Sequence, residues 1–266
     1  MSDGHALRVV NVTKRFTSED NEVIALSGLS FDVRPGEFIS VIGPSGCGKS
    51  TLFNIIGGYI KAYEGRILLD GKENIARRSI GTVFQEESTF PWRTTLQNVV
   101  FPLEAAGVPK KEREERARAF IKLVGLAGFE NSYPSELSGG MRQRTALART
   151  LVFDPKILLM DEPFASLDEQ TRLLLGDKIL HIQQELKQTT LLITHNITEA
   201  VQLSDRVLVM TYRPGRLKRI VEIDLPRPRT SEIVSSGRFG ELVGQIWSDL
   251  REEASRGMIE SEALAS

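Results

Sequence analysis

The residues most able to do chemistry lie in a glycine-rich segment that fits the pattern G-x-x-x-x-G-K-[ST]. The pattern begins at Gly43 and ends at Lys49 and Ser50, after the apolar run Phe38–Ile42 and before the helix-like run Thr51–Ile56. Glycines let a backbone wrap around phosphates with its N–H groups pointing inward. Lys49 can reach β- and γ-phosphates, and the Ser50 hydroxyl can ligate Mg²⁺. The strand and helix flanks favour a nucleoside-triphosphate site over an ordinary glycine-rich turn.

Two adjacent carboxylates follow a second apolar run. Ile157–Met160 predicts a buried parallel strand, and Asp161 and Glu162 come at its carboxyl end, where open α/β sheets bind ligands. Asp161 could hold Mg²⁺, directly or through water, while Glu162 could polarise an attacking water. Such a pair is common on protein surfaces, so it carries weight only beside the glycine-rich segment.

Two further polar residues end predicted strands. His195 follows Thr190–Ile193 and could help to orient water at a γ-phosphate, although a single histidine at a strand end is more often structural. Gln85 follows Ile80–Phe84 and could touch Mg²⁺ or water. The competing interpretation of Gln85 is a surface glutamine that starts a loop, and the residue taken alone favours that interpretation.

A second anion site is predicted in the segment Leu137–Arg144. Ser138 suits a helix N-cap, and Met141–Leu151 contains good helix formers. Free N–H groups and the positive end of the helix dipole attract an anion such as phosphate. The chain therefore carries two predicted phosphate sites, one at Gly43–Ser50 and one at Leu137–Arg144, and the second site requires an explanation.

Cys47 is the only cysteine, which excludes an internal disulfide and is compatible with a reducing cytoplasm. It lies inside the glycine-rich segment at a helix N-terminus, a setting that can favour the thiolate. This predicts that alkylation blocks hydrolysis and that bound nucleotide protects. The competing interpretation is a small residue that simply fits the loop.

The chain has 266 residues and a net charge of −1, and it contains no apolar run long enough to span a bilayer. Short β-branched runs alternate with amphipathic stretches, which predicts an α/β fold with much parallel sheet. The predicted strands are Leu7–Phe16, Leu29–Val33, Phe38–Ile42, Arg66–Leu69, Ile80–Phe84, Ile157–Met160, Thr190–Ile193, Arg206–Met210 and Leu217–Ile223. We expect the early strands, joined by short turns at 34–36 and 70–71, to be antiparallel and the later ones to be parallel.

Two stretches favour helices. Residues from Glu86 to about Thr150 lack a good strand and predict a helical insertion. Ser231–Ala254 predicts an amphipathic C-terminal helix whose apolar stripe serves as core or as a docking surface. The stripe consists of Phe239, Leu242, Ile246, Trp247 and Leu250.

Together these residues resemble the ATP-binding-cassette (ABC) family of transporter ATPases over about Leu7 to Leu225. The family's motifs occur in order: the P-loop at Gly43–Thr51, the Q-loop at Gln85, the signature at Leu137–Arg144, the acidic pair at Asp161 and Glu162, the D-loop at 165–168 and the switch histidine at His195. The signature discriminates the family, because many P-loop enzymes share the other motifs.

The resemblance implies an α/β P-loop NTPase core, with a mixed sheet, an antiparallel β part and an inserted α-helical subdomain. It divides the chain into an ATPase domain at 1–225, with the helical subdomain at about 86–150, and a helical tail at 226–266. The implied ligands are ATP and Mg²⁺. The implied nucleotide-binding residues are Phe16, Gly43, Pro44, Ser45, Gly46, Cys47, Gly48, Lys49, Ser50, Thr51, Ser138 and Gly140. The implied catalytic residues are Lys49, Gln85, Glu162 and His195, and the implied metal ligands are Ser50, Gln85 and Asp161.

The family arrangement also accounts for the second phosphate site. Two cassettes pack head to tail, and each ATP lies between one P-loop and the opposite signature. The resemblance therefore implies a homodimer, with the D-loop near Ser166 and Asp168 crossing the interface. It further implies two transmembrane permease subunits, an indirectly coupled solute-binding protein, a place at the cytoplasmic face of the cell membrane and no nucleic-acid partner.

Within the family, Thr89–Val99 and the ending Asp224–Arg229 resemble importers of the nitrate/sulfonate/taurine group. The chain departs from that group at Asn196, where aspartate is usual, and at 57–59, where Gly-Gly-Tyr replaces Ala-Gly-Leu. Phe90–Trp92 would dock a coupling helix of the membrane subunit, with core packing as the competing interpretation of Trp92. The alternative functions are a soluble ABC-type ATPase acting on nucleic acid or ribosomes, and a nucleotide-switched regulator.

Overall fold

The computed structural model describes residues 4–17, 22–73, 79–85, 88–165, 167–227, 229 and 231–265. The strands in these ranges are β1 (Leu7–Thr17), β2 (Glu22–Val33), β3 (Phe38–Ile42), β4 (Glu64–Leu69), β5 (Ile80–Val83), β6 (Ile157–Asp161), β7 (Thr189–Ile193), β8 (Arg206–Met210) and β9 (Leu217–Glu222). The helices are α1 (Lys49–Ile56), α2 (Thr95–Ala105), α3 (Lys110–Leu123), α4 (Gly139–Leu151), α5 (Glu169–Leu186), α6 (Ile197–Leu203) and α7 (Gly237–Ala265).

The strands form two sheets. The smaller sheet is antiparallel and has the order β2-β1-β4, and the larger has the order β5-β6-β7-β3-β8-β9. The strands of the larger sheet pair in parallel from β5 to β8, and β9 runs antiparallel to β8. The carboxyl ends of the parallel strands therefore meet at one edge, and the P-loop, Gln85, Asp161, Glu162 and His195 lie at or just after those ends. This mixed architecture confirms the predicted fold class.

Three of the predicted strand pairings are wrong. β5, which follows the turn at 70–71, pairs in parallel with β6 and lies in a different sheet from β4. The turn at 34–36 carries the chain out of the antiparallel sheet, and β3 pairs in parallel with β7 and β8. All five residues of β3 are buried, because both of its faces are covered, and a continuous apolar run is typical of such a strand. β9 pairs antiparallel with β8 because the short link at 211–216 contains no crossover helix.

β2 begins at Glu22, seven residues before the predicted start at Leu29. Its first half pairs with the end of β1 across irregular register shifts, with Phe16 opposite Val23. Asn11 and Gly28 have φ of 51° and 65° in this region, so the apolar alternation is interrupted there. This extension brings β2 to the rim of the predicted site.

The stretch between β5 and β6 is helical in the residues that are described, with α2, α3 and α4; Glu86 lies outside those residues. Thr94 begins α2 with a capping box, in which its side chain and that of Gln97 satisfy reciprocal backbone N–H groups. Both the helical insertion and its first cap thus follow from local sequence.

α7 covers the far side of the parallel sheet. Phe239, Leu242 and Ile246 are buried there in a cluster that also includes residues of β8 and α6, and Leu250 packs against it. Trp247, predicted as part of the same stripe, is 59% exposed. One residue after Ile246 lies about 100° around the helix, so Trp247 points away from the cluster. No helix among the described residues is long and apolar enough to cross a membrane.

Candidate functional site

The glycine-rich loop between β3 and α1 is held tightly against β2. Gly48 has φ of 99°, and a Cβ added to it would lie 2.7 Å from the carbonyl oxygen of Ala25. Only glycine therefore allows this approach of two backbones. Lys49 is 8% exposed, and its Nζ donates to the carbonyl oxygens of Gly43 at 2.7 Å and Pro44 at 2.9 Å. The ammonium is thus held inside the loop at the start of α1.

The loop borders a cavity of about 370 Å³. The predicted residues that line it are Phe16, Ser45, Gly46, Gly48, Lys49, Ser50, Thr51 and Glu162. Phe16 is 43% exposed at the rim, with the Lys14 ammonium 4.6 Å from its ring centroid. Arg213, from the turn after β8, also lines the cavity. The cavity combines an exposed aromatic ring, a lysine at a helix N-terminus and a carboxylate, which together suit a nucleoside triphosphate.

Three P-loop residues do not line the cavity: Gly43, Pro44 and Cys47. Gly43 packs against Met210 and Cys47, so that a Cβ on it would come 2.7 Å from the Cys47 sulfur. The Cys47 N–H donates to the carbonyl oxygen of Pro44 at 3.3 Å. Cys47 is fully buried in an apolar cluster, and this burial raises the pKa of its thiol. The predicted preference for the thiolate is therefore wrong, because desolvation outweighs the nearby Lys49 charge.

The acidic pair and the switch histidine meet at the carboxyl edge of the sheet. Glu162 follows β6 with φ of 44°, and its N–H donates to the Ile193 carbonyl at 2.8 Å. Its carboxylate Oε2 lies 3.1 Å from Nδ1 of His195. Burial, together with the charge of Glu162, raises the pKa of Asp161 to about 6, while the charge of Lys49 opposes this shift. Burial thus disfavours the ionised form of this carboxyl, and a bound cation would stabilise that form.

Gln85 is exposed and is not part of the cavity lining. It follows β5, whose Val83 pairs with Met160 of β6. Gln85 therefore lies at the same carboxyl edge as Asp161, one strand away, without joining the other predicted residues in the cavity.

Ser138 and Gly140 lie apart from the P-loop cavity. Ser138 is the N-cap of α4, and its Oγ accepts from the Met141 N–H at 3.3 Å. Ser138 and Gly140 line a second cavity of about 460 Å³, together with residues of α5 that include Thr171 and Lys178. The two cavities share no lining residue. One chain therefore does not bring its two predicted phosphate sites together.

A largely buried network missed by the sequence analysis links Thr194, the residue before the switch histidine, to the D-loop. The Thr194 hydroxyl is 2.6 Å from Oε2 of Glu199, whose other oxygen lies 3.2 Å from Nε of Arg172. Arg172 in turn donates to the Leu167 carbonyl at 3.0 Å. Asp168 caps α5 by accepting from the Thr171 N–H at 3.0 Å, whereas Ser166 lies outside the described residues. Acidic residues on a short helix give no sequence signal for such a role.

An aromatic cluster lies on the surface of the helical insertion. The ring centroid of Phe90 is 5.7 Å from that of Trp92 and 4.7 Å from that of Phe101. The Arg93 guanidinium lies 4.9 Å from the Phe101 ring centroid. Trp92 is 71% exposed, so the competing interpretation of core packing is wrong for this residue.

Comparison with known proteins gives consistent results. A family model described as "ABC transporter" matches residues 26–165. An uncharacterised ABC transporter ATP-binding protein of Methanocaldococcus jannaschii is 51% identical over 95% of this chain and 94% of its own length. The aliphatic sulfonates import ATP-binding protein SsuB of Bacillus cereus is 42% identical over 87% of this chain and 90% of its own. A dimeric ATP-binding cassette in a post-hydrolysis state, bound to ADP and Pi, superposes with a TM-score of 0.71 at 32% identity and covers 83% of this chain and 100% of that one.

Proposed function

This chain belongs to the ABC transporter family as an ATP-binding subunit and ATPase, and from that premise we propose that it drives uptake of a small solute through separate membrane subunits. The cavity between Phe16, the P-loop and Glu162 is the observation that carries the proposal. The proposed division is an ATPase domain at 1–225, with a helical subdomain at about 86–150, and a tail at 226–266. The proposed place of work is the cytoplasmic face of the cell membrane.

The proposed roles of the cavity residues follow from their positions. Phe16 stacks on the base, and Lys49 exchanges the Gly43 and Pro44 carbonyls for phosphate oxygens. Backbone N–H groups of the loop bind the remaining phosphate oxygens. Glu162 orients and activates water, while its contact with His195 fixes the direction of the carboxylate.

The proposed metal is Mg²⁺, because the available donors are hard oxygens. Ser50 lines the cavity, and burial disfavours the ionised form of the Asp161 carboxyl, which a bound cation would stabilise. Bound there, Mg²⁺ would offset negative charge on the phosphates. Gln85 is proposed as a further ligand of this Mg²⁺, since it lies one strand away from Asp161.

The proposed active form is a homodimer. Ser138 and Gly140 line a cavity that is separate from the P-loop cavity of the same chain, so a second copy would have to bring its α4 N-terminus to each nucleotide. The dimeric ATP-binding cassette at 32% identity supports this arrangement.

The proposed contact with the permease is the aromatic cluster of Phe90, Trp92 and Phe101, in which Trp92 and Phe101 are exposed and Phe90 is half-buried. Large aromatic side chains exposed together are typical of interaction surfaces. The similarity to the Bacillus cereus aliphatic sulfonates import protein favours a small oxyanion of the nitrate, sulfonate or taurine type as the solute.

Two variants test the composite site. Glu162→Gln should bind ATP and accumulate as a dimer without turnover, because the nucleotide contacts remain while water is no longer activated. When Ser138→Arg is added to Glu162→Gln, the double variant should bind ATP as a monomer and fail to dimerise. Size-exclusion chromatography with and without ATP, together with phosphate release, gives both results. Wild-type turnover by Glu162→Gln would contradict the role of Glu162, and ATP-dependent dimerisation of Ser138→Arg would contradict the composite site.

A further inference from the structure

The ATP cavity contains a second cation besides Lys49. Arg213 lines the cavity, and its Nε donates to the carbonyl oxygen of Gly46 at 3.1 Å. Its Nη2 would lie 3.2 Å from a Cβ placed on Gly46, so the guanidinium lies directly against the tip of the P-loop. Nε is the only donor of this guanidinium with a hydrogen bond among the described residues. Its remaining N–H groups therefore stay available to an oxygen anion in the cavity.

The turn that carries Arg213 is held by hydrogen bonds and by close packing against the P-loop. β8 pairs in parallel with β3, which leads into the P-loop, so the turn at 211–216 begins beside the loop. The Thr211 hydroxyl accepts from the Arg216 N–H at 3.0 Å and donates to the Pro214 carbonyl at 2.9 Å. A Cβ on Gly215 would collide with the carbonyl oxygen of Cys47, so the two backbones are in direct contact. Arg213 is therefore fixed relative to the phosphate-binding N–H groups.

The C-terminal helix α7 holds this turn from the other side. The buried carboxylate of Glu253, with its side chain 2% exposed, accepts from the Tyr212 N–H at 3.0 Å and from Lys218 Nζ at 2.8 Å. The Tyr212 ring packs on Gly257, where a Cβ would come 2.8 Å from the ring. The residue adjacent to Arg213 is thus anchored to α7 through both its main chain and its side chain.

We infer that Arg213 binds the phosphates of ATP, and that Glu253 of α7 is the positioning residue that keeps it in the cavity. Lys49 belongs to the P-loop and donates to its carbonyl oxygens, whereas Arg213 comes from the turn after β8. The two cations therefore contact the phosphate chain from different sides. The C-terminal helix thereby sets the affinity of the site for nucleotide. This inference rests on the proposed nucleotide site.

Replacement of Arg213 tests the contact in the full-length protein. Arg213→Ala should raise the Kd and the KM for ATP about ten-fold with little change in kcat, because a contact made equally in ground and transition states is lost. Arg213→Lys should restore part of the affinity. Arg216→Ala is the matched control, since Arg216 is exposed on the same turn and does not line the cavity. Equal affinities for Arg213→Ala and Arg216→Ala would overturn the inference.

Replacement of Glu253 tests the positioning role. Glu253→Ala should weaken ATP binding several-fold, and its effect should largely disappear in the Arg213→Ala background, because both changes act on one contact. Glu252→Ala is the control, since Glu252 also binds Lys218 but makes no bond to Tyr212. Additive effects of Arg213→Ala and Glu253→Ala would overturn the positioning role.

Lys49→Ala distinguishes failure of the nucleotide site from failure of the Arg213 contact. Loss of ATP binding in Lys49→Ala, with wild-type binding in Arg213→Ala, would leave the nucleotide site in place and remove Arg213 from it. Wild-type ATP binding in Lys49→Ala would overturn the proposed site and this inference together.

Discussion

Replacement of Gly48 by alanine should damage the nucleotide site through a collision that the structure locates. Gly48 has φ of 99°, which costs an L-residue about 1–2 kcal/mol. The new Cβ would lie 2.7 Å from the Ala25 oxygen and 2.8 Å from Leu26 Cδ2. Ordinary contacts begin at 3.4 Å, so the P-loop or β2 must move by roughly 0.7 Å. Overpacking of this kind costs about 1–3 kcal/mol more.

The expected result is a loss of both stability and ATP affinity. A shift of that size misaligns the N–H groups of the loop, and the loss of one charge-assisted hydrogen bond weakens binding about ten-fold or more. Gly58→Ala is the matched control: Gly58 lies just beyond the other end of α1, has φ of 75°, and has nothing within 4 Å of its Cβ position. It should lose about 1 kcal/mol of stability and keep its ATP affinity.

Urea unfolding and equilibrium titration with ATP measure the two effects separately. Wild-type affinity in Gly48→Ala would refute the argument from close backbone approach. Equal damage in Gly48→Ala and Gly58→Ala would show that the positive φ alone, and not the contact with β2, controls this position.

Two further predictions concern ionisation. Because the folded protein raises the pKa of Asp161 to about 6 from an ordinary 3.8, its contribution to stability is full below about pH 4 and is lost as the pH rises through 6. Asp161→Asn should therefore remove about 1 kcal/mol of stability change between pH 5 and pH 8, after allowance for solvent screening, in urea unfolding without metal or nucleotide; identical pH profiles would contradict this. Cys47 is fully buried and its thiol pKa is raised, so maleimide labelling of the native protein should be slow and Cys47→Ala should retain ATPase activity, whereas rapid labelling would contradict the burial.

Local sequence predicted the helical insertion, the P-loop and most of the strands, because each depends on neighbours within a few residues, but it missed the first half of β2. A glycine before Lys49 permits the turn, and Ser138 caps α4 in the way that its position predicts. The apolar run of β3 identified a strand, but the short turn before it predicted the wrong partner strand. β3 is buried on both faces in the middle of the parallel sheet, and a turn of three residues does not show which sheet the next strand joins.

By itself, then, the sequence predicted a set of binding and catalytic residues, through motifs whose spacing is fixed by one strand–loop–helix unit at a time. The tertiary structure alone decided which units meet. It placed Arg213 beside Gly46, joined Glu162 to His195, and kept Ser138 in a cavity separate from Lys49. These contacts connect residues far apart in the chain through the order and direction of parallel strands, and burial within that packing also reversed the expected ionisation of Cys47.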